Sequence, residues 1–524
     1  MWHLNKITSA ANKVLLHASQ QQRVLRKYRR WLTSLPLDSR TVLLDQQNGR
    51  SLDGNVYAIM RELLTNERWS HLQVRFATTK DTDAPFSAEL ERRGLHVQTV
   101  RRGTYMYYYA LATSAYLITN NDLPAAFVKR PGQVLLNTWH GIPLKTLGRA
   151  QVSDAPYIGN TQRGLAFADY LLIPNPAMEK RFVRDYMLEG ISTATILPLA
   201  YPRNEAFLKE PEIDLVHSIR NGLGHVYAWL PTFRGSGNER GVLPARMHSL
   251  LGEIDELLTD DEILYIKLHL VERQPLELDK YAHIRQLPAT DELYSILATC
   301  DALVTDYSSV MFDYPLCKGK VVLFPYDEDA YSQQRGLYQP ISSLPFPKVY
   351  SAKELIDELR SPKGYNDTEL LQECWPTQTP GVSKVLCERL FIGSSHITGE
   401  HEISHTQKPM ALVYSELECD LCELEEKLVD LSRSYSVRLA FPWKLGIDKT
   451  GFLQQLPSTI AYTPLRGQML LSPTEHLGLR VGKVRESTLE LDRQRTFGTA
   501  DFKCVIIHDG CDQRWLALFK HLMD

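Results

Sequence analysis

From residue 41 to residue 325, short apolar runs alternate with segments of helical spacing, and this alternation limits the fold more than any other feature of the sequence. Runs of four to seven residues are too short for buried helices, and their bounding turn residues mark them as strands. Helix-like segments between such strands are the pattern of a parallel sheet with crossover helices. Strands are predicted at 41–45, 74–77, 96–100, 116–119, 134–139, 170–173 and 194–198, with helices over 55–64, 87–93, 104–114 and 178–187. A polar stretch at 211–224 reads as a hinge. The pattern resumes with strands at 225–230, 263–269, 283–287, 302–306 and 321–325 and helices over 247–258, 291–299 and 309–318. Three closing helices follow, over 351–359, 368–374 and 382–391. The expected fold class is therefore α/β, with two doubly wound domains, 41–210 and 225–395, facing a cleft.

The two ends differ from this body. Residues 1–40 form a basic segment: the first 32 carry seven Lys and Arg and no acid, with Trp2, Leu4, Ile7, Val14, Leu15, Val24, Leu25 and Trp31 between them. Such a stretch either lies on anionic lipid or packs as a helix on its own protein with a solvated basic face. Residues 400–524 read as a small α+β region of unassigned role. Leu417, Leu421, Leu424, Leu428 and Leu431 form a helical seam over 416–431, and short strand-like runs occur at 437–441, 469–471 and 505–508.

Charge and cysteine usage exclude several functions. With 59 Lys and Arg against 62 Asp and Glu, no whole-chain basic field exists to bind nucleic acid, so any anion site is local. No run of eighteen apolar residues and no signal-peptide pattern is present. Eight scattered cysteines read as thiols of a reducing cytosol.

Chemistry concentrates at strand ends. The run at 134–139 closes on His140-Gly141, and a histidine at a strand's carboxyl end can take a proton from an acceptor hydroxyl. Lys145 and Arg149 follow in the same loop as possible anion contacts, and Arg203 holds a similar place after the strand at 194–198. Arg234 follows the strand at 225–230, where a guanidinium suits bidentate phosphate binding. In the run ending at His269, period two places Lys267 and His269 on one face. The strand at 302–306 ends in Thr305-Asp306, and Ser308 or Ser309 is a natural N-cap for the helix after it, whose first turn would attract an anion.

The segments Thr138-Trp-His-Gly-Ile-Pro-Leu-Lys145, Pro231-Thr-Phe-Arg234, Ile266-Lys-Leu-His269 and Leu303-Val-Thr-Asp-Tyr-Ser-Ser-Val-Met-Phe-Asp313, in this order, resemble the CDP-glycerol:poly(glycerophosphate) glycerophosphotransferase family of teichoic acid and polyol-phosphate capsule synthesis. The likeness extends to 51–60, 116–120 and 335–338 and spans roughly residues 40 to 390. It implies a GT-B fold of two Rossmann-like domains. It also implies transfer of a polyol phosphate, glycerol phosphate first, from a CDP-activated donor to the hydroxyl of a lipid-linked acceptor, with CMP leaving. His140 would be the base; Arg234 and His269 would hold the diphosphate, with Lys267, Thr305, Ser308 and Ser309 contributing and Asp306 orienting a neighbour or touching the donor. CDP-glycerol or CDP-ribitol would be the co-substrate, with no resident cofactor. A peripheral site on the cytoplasmic face of the plasma membrane is expected, through the basic N-terminal segment.

This sequence departs from the family pattern in having Leu270-Val271, not proline, after Lys-Leu-His, and in its extra C-terminal residues. Two alternatives remain at this stage: a GT-B transferase using a nucleotide sugar, and a non-catalytic scaffold of a polymer-assembly complex. The D-x-D pairs at Asp81/Asp83 and Asp327/Asp329 do not end apolar strands and read as solvated loops, so no essential metal is expected. Cys419 and Cys422, with Cys504, His508 and Cys511, have spacing that a zinc site can use, but ordinary thiols explain them more simply.

Overall fold

A computed structural model describes residues 20–151, 155–232, 245–267, 277–288, 292–326, 336–377, 380–393, 396–404, 406–467, 471–479 and 484–523. The first domain is built on β1 (Asp38–Asp45), β2 (Gln73–Thr78), β3 (Gln98–Arg101), β4 (Ser114–Thr119), β5 (Val134–Asn137), β6 (Tyr170–Leu172) and β7 (Thr195–Leu197). The second is built on β8 (His225–Leu230), β9 (Glu262–Ile266), β10 (Ile284–Gln286), β11 (Ala302–Thr305) and β12 (Lys320–Leu323). Every strand in these two sets pairs in parallel, as the alternation predicts. A short β13 (His401–Glu402) then adds antiparallel to β7, so the first sheet has the order β13-β7-β6-β5-β4-β1-β2-β3.

Sheet order fixes where ligands can go. In the first sheet the chain runs outward from β1 through β2 and β3 on one side, and through β4 to β7 on the other. The order of the second is β10-β9-β8-β11-β12, with the reversal between β8 and β11. At each reversal the crossovers leave on opposite faces and open a crevice at the strand carboxyl ends. The crevices are bordered by Gln46 and Asn120 in the first domain, and by Thr232 and Asp306 in the second.

Three expectations are modified. The hinge at 211–224 contains a helix, Ile213–Arg220, stopped by Asn221 in the left-handed conformation. The helix expected over 309–318 is only four α-helical residues, Val310–Asp313, continued as a 3-10 turn because Pro315 has no N–H to give. The C-terminal region is a third α/β unit. Its strands β14 (Met410–Ser415), β15 (Ser436–Pro442), β16 (Ala461–Leu465) and β17 (Phe502–Asp509) pair in parallel in the order β16-β15-β14-β17. Sequence reading missed β14 and β16. The Leu seam holds only from Leu421, because Leu417 sits at φ 60° ahead of the Asp420 cap.

The N-terminal helix at 20–34 packs on its own protein. Val24, Tyr28 and Leu32 recur on one face and are buried, and the Tyr28 hydroxyl accepts from the Val128 N–H at 3.2 Å. Arg29 reaches the third unit, donating to Glu475 at 2.5 Å and to Thr488. One apolar core joins the first domain to the third unit and the near face of the second sheet, while the outer face of the second sheet has its own.

Candidate active site

His140 stands at the end of β5 because the chain turns sharply after Asn137. The Asn137 side-chain oxygen accepts the Trp139 N–H at 2.9 Å, and Trp139 adopts φ 51°. The Trp139 ring packs edge-on against Phe182 and stacks on the His140 imidazole, centroids 4.3 Å apart. The strand expected to run to residue 139 therefore stops two residues early, and those two residues aim the histidine.

The protonation state follows from one contact. His140 Nδ1 lies 2.9 Å from the Asn120 carbonyl oxygen, which can only accept, so Nδ1 carries the proton and Nε2 keeps its lone pair. Burial pushes the imidazole pKa down, and the Arg203 guanidinium adds to this against the Asn120 hydrogen bond, leaving it at about 4. At neutral pH the ring is an uncharged acceptor.

Gly141 brings this loop against the second domain. Its φ is 152°, and a Cβ there would lie 2.4 Å from the Ser309 hydroxyl oxygen, so only glycine permits the approach. Across the same cleft Lys267 Nζ meets the Asp53 carboxylate at 3.2 Å. Asp53 precedes the helix Gly54–Thr65 and also accepts from the Ser51 hydroxyl. Burial pushes its carboxyl up, but Lys267 and Ser51 outweigh burial and hold it below the usual range.

Of the expected anion contacts, Arg203 and Arg149 are committed elsewhere. Arg203 is a buried strut, donating to the His140 carbonyl oxygen and to Asp313 of the second domain, both at 2.7 Å. Tyr201 and Tyr294 flank its guanidinium at 5.0 and 4.9 Å, and the Tyr294 hydroxyl donates to the same Asp313 oxygen at 2.6 Å. Arg149 points into the third unit, where its guanidinium donates to the carbonyls of Leu456, Pro457 and Ile460. Lys145 is half-buried, and its backbone bridges antiparallel to Leu337.

Thr305 and Asp306 lie at the end of β11. Both are fully buried: the Thr305 hydroxyl donates to the Leu230 carbonyl at 2.7 Å, and the Asp306 carboxylate accepts the Thr232 and Tyr307 N–H groups at 2.9 and 2.5 Å. They tie the ends of β8 and β11 together, and Asp306 thereby orients its neighbours, one of the two roles the resemblance implies for it. Ser308 and Ser309 are half-buried at the crevice; Ser309 is the N-cap residue but makes no side-chain capping bond, and the four-residue helix behind it is too short to present a helix-end anion site. Arg234 and His269 lie outside the described residues, as do Asp327 and Asp329. Among the described residues no three His, Cys, Asp or Glu side chains converge as metal ligands, the cysteine set of the third unit included.

Asp53, Asp313, Tyr294 and the strap at 336–338 escaped the sequence reading. In the strap, the Tyr338 N–H donates to the Leu144 carbonyl at 2.8 Å and the Gly336 carbonyl accepts the Thr146 N–H at 2.9 Å, so the second domain grips the loop after His140. The motif segments contain Asp53, Asp313 and Tyr338, but spacing does not show which residues are partners.

Two doubly wound domains that turn their ligand crevices toward one another, with an uncharged imidazole on one side and an ammonium on the other, define a GT-B-type fold with a transferase-like cleft. The chain belongs to the CDP-glycerol:poly(glycerophosphate) glycerophosphotransferase family, whose sequence model matches residues 27–373. It is 29% identical over 283 residues to the teichoic acid glycerol-phosphate transferase of Staphylococcus aureus (strain NCTC 8325 / PS 47), covering 51% of this chain and 71% of that protein. It is 26% identical over 344 residues to the teichoic acid poly(glycerol phosphate) polymerase of Staphylococcus epidermidis, covering 62% of this chain but 45% of the relative. The chain thus spans about half the length of that polymerase. The fold is similar to that of the wall teichoic acid polymerase TagF, with a TM-score of 0.60, 20% identity, and coverage of 74% of this chain and 97% of that one.

Proposed function

We propose that this protein transfers glycerol phosphate from CDP-glycerol to a terminal hydroxyl of a lipid-linked polyol-phosphate acceptor, releasing CMP. The observation that carries this reading is His140: its Nε2 lone pair is free, its other nitrogen is tied to Asn120, and its loop abuts the crevice of the second domain. The acceptor hydroxyl gives its proton to Nε2 as its oxygen bonds to the donor's β-phosphorus. The bond from that phosphorus to the bridging oxygen breaks, and CMP leaves with the electron pair. Lys267, with the hydroxyls of Ser308 and Ser309, supplies positive and hydrogen-bonding groups to the diphosphate, and by motif match Arg234 and His269 join them. Without donor, Asp53 holds Lys267; the diphosphate competes for the same ammonium. Relatives named as glycerol-phosphate transferase, primase and polymerase support the donor, as does the similar fold of TagF soaked with CDPG.

A donor panel tests the reading. Acceptor-dependent release of CMP from CDP-glycerol, with CDP-ribitol weaker and UDP-sugars inert, is expected, and it should persist after exhaustive chelation because no resident cofactor is invoked. UDP release from a nucleotide sugar, without CMP release, would overturn it.

The same reading places the enzyme at the cytoplasmic face of the plasma membrane as a peripheral protein; no helix among the described residues is long and apolar enough to cross a membrane. Because the apolar face of the helix at 20–34 is used internally, its exposed basic side chains, Arg26, Lys27 and Arg30, face anionic lipid together with the exposed Met106 and with Tyr105 and Tyr109, on which Trp31 packs. Charge neutralisation at Arg26 and Arg30, each to glutamine, is expected to weaken flotation with anionic vesicles about fivefold per residue. Unchanged flotation would contradict this surface.

A further inference from the structure

The third α/β unit lies wholly beyond the family match, and its sheet has the topology of a nucleotide-binding unit. Its ligand crevice, between β14 and β17, is already filled by its own chain. The Asp509 carboxylate at the end of β17 accepts the Glu416 and Glu418 N–H groups, at 3.1 and 3.0 Å, in the loop that follows β14.

What the unit does make is a polar interface with the first domain, directed at the segments between β5 and β6 and between β6 and β7. Arg438 is buried and donates to the Met187 carbonyl at 2.6 Å and the Glu189 carbonyl at 3.3 Å. The Gln162 amide donates to the Tyr462 carbonyl at 2.9 Å, and a Cβ on Gly159 would lie 2.0 Å from the Pro464 carbonyl oxygen. Arg149 is the nearest of these groups in sequence to the base, nine residues past His140. It donates to Ile460 at 3.2 Å, Leu456 at 3.0 Å and Pro457 at 3.4 Å, with its guanidinium 5.6 Å from the Tyr462 ring centre. Between His140 and Arg149 the loop is gripped by the strap at 336–338. Next to Arg149, a Cβ on Gly148 would lie 2.1 Å from the Asp185 carbonyl oxygen, so the chain has no room to shift there.

We infer that the third unit serves as a positioning domain for the loop that carries His140, and that Arg149, seated in its carbonyl cage, is the positioning residue that transmits the constraint. The inference rests on the transferase reading for its kinetic consequence, but not for its structural one. A guanidinium satisfied by three carbonyls fixes the far end of a loop in a way that an apolar side chain cannot, and misplacement of a base by about 1 Å costs on the order of a hundredfold in rate.

The experiment uses the full chain with Arg149→Met and Arg149→Lys. Hydrogen exchange over 138–147 is expected to quicken in Arg149→Met, while the second domain keeps wild-type exchange. CMP release is expected to fall about tenfold to a hundredfold in kcat, with KM for CDP-glycerol within about twofold, and Arg149→Lys is expected to recover part of both. A purely structural role would move exchange throughout and would not split kcat from KM. Wild-type exchange and kcat in a folded Arg149→Met would overturn the inference; if that variant does not fold, wild-type exchange and kcat in Arg149→Lys with its lost cage geometry would do the same. Should wild-type protein release no CMP from any donor, the functional reading fails, and exchange over 138–147 still decides this one.

Discussion

Replacing His140 with alanine is expected to lower kcat/KM for acceptor-dependent CMP release by about 10²- to 10⁴-fold, the usual contribution of a positioned general base. The donor's KM should change little, because in the proposed mechanism the imidazole serves the acceptor hydroxyl. Its pH dependence follows from the same geometry. Burial and Arg203 hold the free-enzyme imidazole at about 4, so kcat/KM should be flat from about pH 5 through neutrality on this limb and fall as the pH drops through 4. The sign for stability agrees. A histidine whose folded pKa lies below its unfolded value of 6.5 favours the folded state fully above pH 6.5 and disfavours it progressively as pH falls toward 4. The full depression corresponds to roughly 3 kcal/mol. His140→Ala should therefore be less acid-sensitive than wild type in thermal unfolding between pH 6.5 and 4. A kcat/KM limb near 6.5, or an alanine variant within tenfold of wild type, would contradict the assignment.

The second large effect is expected at Asp313. Its carboxylate is the buried counter-charge to Arg203, and the Tyr294 hydroxyl donates to the same oxygen. Burial pushes the carboxyl above its usual range, and the Arg203 guanidinium and the Tyr294 hydroxyl oppose this only in part. Asp313→Ala would leave a buried guanidinium with no neutralising partner, at a cost of about 3–5 kcal/mol. It would also free the group that holds the His140 carbonyl. Loss of both thermal stability and activity is expected, with activity lost at temperatures where the protein is still folded. Replacing both charges, Arg203→Met with Asp313→Leu, should restore most of the stability, since well-packed apolar pairs substitute well for buried ions. Activity should not return, because the His140 carbonyl remains unheld. Recovery of both in the double variant would reduce the strut to packing alone.

The parallel sheets were legible because periodicity and run length are local. All twelve predicted strands of the two main domains occur, with ends shifted by a few residues. The run ending at His140 was read two residues too long because Trp139 is apolar, while what stops the strand is a side-chain bond from Asn137 and a left-handed backbone. Edge and C-terminal strands were less visible. Ala461–Leu465 contains Pro464, which argues against a strand, and β16 tolerates it as the edge of its sheet.

In the candidate site, residue types were legible and partners were not. His140 and Lys267 were found because each sits at the end of an apolar run. Arg203 and Arg149 were singled out by the same rule, yet their charges are answered by Asp313 and by the carbonyls of 456–460, partners far away in sequence. Thr305 and Asp306 followed a strand into an apparent crevice, but their side chains turn back to bond the neighbouring strand. The third unit was the largest gap. Its strands are interrupted by proline and short polar turns, and its contact with the loop after His140 passes through backbone carbonyls, which carry no sequence signal.

The most direct test of the central claim is a quenched-flow reaction of the full chain with CDP-glycerol and a lipid-linked glycerol-phosphate acceptor, counting CMP released and acceptor extended in wild type and in His140→Ala. The account predicts one CMP per unit added in wild type, and loss of both products together in the variant. CMP release without acceptor extension, or equal extension by His140→Ala, would contradict it.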